Sequence, residues 1–141
     1  MENLDVCPEL SLVDLQNCRI LEIDGLDKLS NLSSLHLAHN GITEIKNLET
    51  NVDLDTIDLS GNPITSLAGL DGLDQLEDLW MNDCKIEDWK EVEKLERMNT
   101  VLITLEYLVQ CYADTVDPHT VDILRVLPST KIPIQWTFFY F

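Results

Sequence analysis

The chain has 141 residues, 45% of them apolar, enough to bury the core of one domain. Its 26 Asp and Glu against 9 Lys and Arg leave a formal charge of −17, so a phosphate backbone or an anionic lipid surface would be repelled, and neither nucleic acid nor membrane is expected as a partner. No apolar run approaches the roughly 20 residues that span a bilayer and no basic-then-apolar segment opens the chain, so the expected location is nuclear and/or cytoplasmic.

Taken in chain order, residues 1–9 read as a partial repeat, because Met1, Leu4 and Cys7 stand one step before Ile23, Leu26 and Leu29. The first full copy sets Leu10, Val13, Leu15 and Ile20 along a strand and its turn, and Ile23, Leu26 and Leu29 along the segment that returns to the next strand. A second copy follows with Leu32, Leu35, Leu37 and Ile42, then Ile45, Leu48 and Val52. The third has Leu54, Ile57, Leu59 and Ile64, then Leu67, Leu70 and Leu73. In the fourth, Leu76, Leu79, Met81 and Ile86 lead into Trp89, Val92 and Leu95, where residues 88–95 are rich enough in helix formers to predict a short helix. Met98, Val101, Ile103 and Leu108 make a fifth copy. Beyond it, Asp117-Pro118 opens a predicted helix carrying Val121, Ile123, Leu124 and Leu127 and stopped by Pro128.

The copies start at Leu10, Leu32, Leu54, Leu76 and Met98, a constant step of 22, and their spacing is the L-x-x-L-x-L-x-x-N/C-x-L signature of a leucine-rich repeat. The predicted fold is an α/β solenoid: about five 22-residue repeats over residues 10–108, a concave parallel sheet, short helical or 3-10 returns, and a C-terminal capping helix within 109–141. Residues 1–141 are expected to form a single domain. The position eight past each start holds Cys18, Asn40, Asn62 and Cys84, side chains suited to bonding a turning backbone, but Glu106 in the fifth copy. No polar cap precedes the first strand, so an unpaired edge is expected there, together with self-association through it.

Residues between the buried ones point outward from such a strand, so the binding surface can be read directly. The central column is Asp14, His36, Asp58, Trp80 and Leu102. It is flanked by Leu12, Ser34, Thr56, Asp78 and Thr100 on one side and by Gln16, Ala38, Ser60, Asn82 and Thr104 on the other. A Trp on the solvent side of a strand has no core to fill and is a common interface anchor, so Trp80 is expected to hold a partner protein. Around it, Asp14, Asp55, Asp58, Glu77, Asp78 and Asp83 suggest that this partner carries Lys or Arg. No catalytic constellation, cofactor motif or metal-ligand spacing accompanies these residues. His36 and His39 have no completing ligands, and Cys18 and Cys84 read as structural. The expectation is a non-enzymatic module without cofactor or metal.

The run Leu76-Glu77-Asp78-Leu79-Trp80-Met81-Asn82-Asp83, with Trp89 in the next return and Val126-Leu127-Pro128-Ser129 at the end of the closing helix, resembles the leucine-rich-repeat regulatory subunits of protein phosphatase 1, the regulatory subunit 7 family. The likeness covers the last repeats and C-terminal cap of that family. It implies that the concave face binds the phosphatase catalytic subunit through acidic and aromatic side chains, which by position are Asp58, Asp78 and Trp80. Asp78 stands where the family has Glu, and Leu102 where it has Tyr. The alternative is a scaffold of the same type for another partner, such as a cytoskeletal or axonemal protein or a basic nuclear protein.

Overall fold

The computed structural model describes residues 4–88, 90, 91 and 94, together with the backbone of 102–104. A 3-10 turn at Leu4–Val6 precedes five short strands: β1 (Leu12–Asp14), β2 (Ser34–His36), β3 (Thr56–Asp58), β4 (Asp78–Trp80) and β5 (Leu102–Thr104). They lie side by side in chain order in one parallel sheet, so each of the first four is followed by a return that crosses back before the next begins.

Three-residue strands suffice because each is stapled to its neighbour at the same height. Val13 pairs with Leu35, Leu35 with Ile57, and Ile57 with Leu79. These middle residues face the core and are almost completely buried, whereas the residues on either side of them are half-exposed or exposed. Leu37, Leu59 and Met81, two residues further on, return to the core.

The returns are built from successive turns rather than continuous helices. Leu29 N–H donates to the Leu26 carbonyl and Leu32 N–H to that of Leu29, and the same pattern links Leu48, Asn51 and Leu54, then Leu67, Leu70, Leu73 and Leu76. Bonds of this reach give about three residues per turn, so side chains three apart share a face. That is why Leu26, Leu29, Leu32, Leu48, Leu54, Leu67, Leu70, Leu73 and Leu76 all enter the core.

Two polar devices bind each coil to the next. Asn62 Nδ2 donates to the carbonyls of Leu37 (2.9 Å) and Leu59 (2.8 Å), while its Oδ1 accepts Ile42 N–H at 3.0 Å. Asn40 does the same one coil earlier, donating to Leu15 and Leu37 and accepting from Cys18 and Ile20. Just before these slots the backbone turns left-handed at Asn17, His39, Gly61 and Asp83, with φ between 55° and 69°. Asn, Asp, His and Gly tolerate that conformation best, and the N–H groups of Asn17, His39 and Gly61 donate to Ala38, Ser60 and Asn82 of the following coil.

Several expectations are corrected. Val52 is 51% exposed, and the buried side chain of that return is Asn51, which keeps the 22-residue frame of Leu29 and Leu73. An amide is tolerated there because its Nδ2 donates to the Leu26 and Leu29 carbonyls. Cys18 and Cys7 are exposed, though the Cys18 thiol still donates to the Gln16 carbonyl of its own turn at 3.3 Å. Cys84, by contrast, is buried and its thiol donates to the Leu59 carbonyl, so it fills the slot as expected. Ala38 is buried because a lone methyl does not rise above the face of the sheet.

The step of 22 also fails between β4 and β5. Leu102 pairs with Asp78, Ile103 with Leu79 and Thr104 with Trp80, so the fourth crossover is two residues longer than those before it. Lys90 and Glu91 in that return are helical. A helix advances about 1.5 Å per residue against about 2.0 Å for 3-10 turns, so the helical residues cover less of the path. Trp89, Val92 and Leu95, the side chains of the fifth copy, and the expected cap over 109–141 with its helix lie outside the described residues. Glu91 itself reaches back to the third return. Its carboxylate accepts from Ser66 Oγ, Leu67 N–H and Lys94 Nζ, each at 2.7 Å.

Candidate protein-binding surface

The sheet has one face on the core and one open. Strand pairing sets Asp14 beside His36, His36 beside Asp58 and Asp58 beside Trp80, in a single row across four strands. With about 4.8 Å between strands the row is about 14 Å long. Asp78 lies two residues before Trp80 on the same strand, in the flanking row with Leu12, Ser34 and Thr56. Five of the expected binding residues are thus brought together. Leu102 is the exception: its backbone pairs with Asp78, and the position beside Trp80 belongs to Thr104. Leu102 therefore leaves the central row in which the constant step had put it.

Two carboxylates in the row are held by their own turns. Asp58 Oδ1 accepts Ser60 N–H at 3.0 Å, and Asp14 Oδ1 accepts Gln16 N–H at 3.2 Å. A side chain bonded to the backbone two residues on is fixed in direction, so these charges are aimed before any partner arrives. Strands β1 to β4 contain three Asp and no Lys or Arg. The ion pairs among the described residues, Lys28–Asp27, Lys46–Glu22 and Lys94–Glu91, all lie off the strands, so none of them neutralises an Asp of β1 to β4.

His36 and Trp80 are the half-buried rings of the row. Their centroids are 6.1 Å apart with the planes inclined at 45°, so the rings lean toward each other across the Asp58 position. The repeat puts both in one column, but its spacing alone does not say that they meet. The available signal is their separation by two steps of the repeat, combined with side chains long enough to reach over an intervening Asp.

The described residues hold no group of three His, Cys, Asp or Glu arranged to take a metal. Cys84 is a poor nucleophile: burial pushes its thiol up to about 11, with hydrogen bonds from the Asn62 and Ile64 backbone offsetting only part of that. The arrangement suits recognition of a surface.

A stack of parallel-sheet coils with asparagine or cysteine slots at its turns is the fold of a leucine-rich-repeat solenoid. Residues 52–94 match the family model for leucine rich repeats (2 copies). No curated protein matches the chain. Among solved structures, internalin InlF of Listeria monocytogenes is similar with a TM-score of 0.57 and 28% identity, over 65% of this chain and 27% of its own. Internalin C2 of the same species gives 0.57 and 24%, over 72% and 47%. A chain of the Drosophila melanogaster SNF/U2A′ complex gives 0.60 and 22%, over 89% and 80%. The chain spans less than half the length of the internalins it matches.

Proposed function

We propose that this chain is a non-catalytic regulatory module that binds the catalytic subunit of protein phosphatase 1 on the open face of its sheet and acts by occupying that subunit's surface. Trp80 is the anchor, Asp58 and Asp78 set orientation and association rate, and Asp14 and His36 extend the contact along the row. The observation that carries the reading is the adjacency of Asp58 and Trp80 on paired strands, with Asp78 on the same strand as the indole. By position these three residues resemble the acidic and aromatic contacts of the regulatory subunit 7 family, and Trp80-Met81-Asn82-Asp83 resembles a motif of the same family. A nuclear or cytoplasmic location would follow from that partner.

The test is direct binding of the full chain, immobilised, to purified phosphatase 1 catalytic subunit. Saturable binding that is lost in Trp80→Ala is expected. An absence of binding at micromolar concentrations of a folded chain would overturn the reading.

A second reading, a scaffold for another protein such as a cytoskeletal, axonemal or basic nuclear partner, has one observation in its favour. The similar chain from the SNF/U2A′ complex is of comparable length, and its structure is that of a complex. Trp80-dependent capture of such a protein, with no capture of the phosphatase subunit, would favour this reading over the first.

A further inference from the structure

Of the four turn slots, the one in the second coil carries a chemical liability that the others lack. Asn40 is followed by Gly41, the pair in which a backbone nitrogen most easily attacks the preceding side-chain amide, because glycine offers no side chain to hinder the approach. In the next coil the same slot reads Asn62-Pro63, where the following nitrogen carries no hydrogen, and the remaining slots hold Cys18 and Cys84.

In the stacked coils this reaction is blocked from both sides. Gly41 N–H is committed to the Ile20 carbonyl at 2.8 Å. The Asn40 carboxamide is pinned by five hydrogen bonds to backbone: Oδ1 accepts from Cys18 and Ile20, and Nδ2 donates to Leu15, Leu37 and Ala38. Three of those five partners, Leu15, Cys18 and Ile20, belong to the first coil, as does the carbonyl that holds Gly41. The lock therefore depends on the first coil staying in place. Among the described residues that coil is the least enclosed: Leu10, Leu15 and Ile20, and Leu4 just before them, are only partly buried where their counterparts further along are fully so. Segments with few buried apolar contacts open at lower free energy than the rest of a protein.

We propose that Asn40-Gly41 is a latent deamidation site, closed by the first coil and exposed when that coil opens. On opening, the Gly41 nitrogen bonds to Asn40 Cγ, the Cγ–Nδ2 bond breaks, and ammonia leaves with the proton from the Gly41 nitrogen. Water then opens the succinimide at either carbonyl to leave an aspartyl or isoaspartyl residue, with no change in oxidation state. Neither product can rebuild the lock. A carboxylate has no proton for the Leu15, Leu37 and Ala38 carbonyls, and the isoaspartyl form adds a backbone atom where the coil turns most tightly. Deamidation thus turns a reversible opening into a permanent one, and removes Asp14 from its place beside His36.

The purified full chain is incubated at neutral pH and physiological temperature in buffer and in urea. The peptide spanning Asn40 is followed by mass spectrometry, and isoaspartate by enzymatic methylation. Conversion in urea, and conversion at least about tenfold slower in buffer, are expected from protection by the folded coil. Gly41→Ala should suppress conversion in urea; its φ is not left-handed, and an added Cβ meets the movable end of Leu21 at 2.8 Å and the Ile20 carbonyl oxygen at an ordinary 3.6 Å. Leu10→Ala, which loosens the first coil, should speed conversion in buffer several-fold while leaving the rate in urea unchanged. Equal rates in buffer and urea, or no conversion in urea, would overturn the proposal. An unchanged rate in buffer for Leu10→Ala with a lowered melting temperature would reject the first coil as the gate.

Discussion

The imidazole of His36 and the indole of Trp80 meet with centroids 6.1 Å apart although a whole strand lies between them. The Asp58 position on that strand is bridged by the two rings, so the row presents an aromatic pair with a carboxylate between its members. Substituting Trp80→Ala removes the proposed anchor and leaves His36 without its ring contact. Binding is expected to weaken by about 2–4 kcal/mol. The indole is not part of the core, so the melting temperature should stay within a degree or two of wild type. His36→Ala should cost less, about 1 kcal/mol, the scale of one aromatic pairing. Calorimetric titrations paired with thermal melts separate the two quantities.

Asp58→Asn keeps an oxygen for Ser60 N–H and removes only the charge. If the charge works by steering, the association rate should fall and its dependence on salt should flatten, with little change in dissociation. Surface plasmon resonance at low and high ionic strength reads both. A change confined to dissociation would show instead that the carboxylate makes a buried pair in the complex.

The asparagine slot can be tested by exchanging its alternatives. Asn62→Ala strips donors from the Leu37 and Leu59 carbonyls and the acceptor from Ile42 N–H, all within the core. Buried groups left unpaired cost about 1–3 kcal/mol each, so a loss of about 3 kcal/mol or more in urea unfolding is expected. Asn62→Cys, which copies the side chain that Cys84 brings to the same slot one coil later, should recover part of it, because a thiol supplies one of the bonds.

Glu91 gives the fold a pH signature. Its carboxyl is lowered from 4.5 to about 2, first by the hydrogen bond from Lys94, then by those from Ser66 and the Leu67 backbone. The native state resists protonation more than the unfolded chain does, so this contribution is fully present above pH 4.5 and is lost as pH falls through about 2. Glu91→Gln should be less stable than wild type at neutral pH and should lose less on acidification. The two stability curves should converge in strong acid, as followed by denaturant unfolding at stepped pH.

Much of this is legible in the sequence because a strict stride is a strong geometric constraint. Leu35, Ile57 and Leu79 have to share one side of the sheet, and Asp58 and Trp80 the other. The failures have local causes. Apolar character favours Val52 over Asn51, yet the stride points to Asn51, and two carbonyl acceptors decide the matter. Leucine spacing misplaces Leu102 because the fourth crossover, in which Lys90 and Glu91 are helical, is two residues longer than the others, a difference that the spacing does not record. The meeting of His36 and Trp80 depends on side-chain reach across a third residue, which a column of letters does not contain.

Oxidative footprinting of the chain, free and bound to the phosphatase 1 catalytic subunit, bears most directly on the claim that the open face is the contact. Trp80 and Leu12 lie on that face, while Val52, 51% exposed in a return, serves as an internal control. The complex should shield Trp80 and Leu12 and leave Val52 as reactive as in the free chain. Shielding of Val52 with Trp80 still fully reactive would contradict that claim.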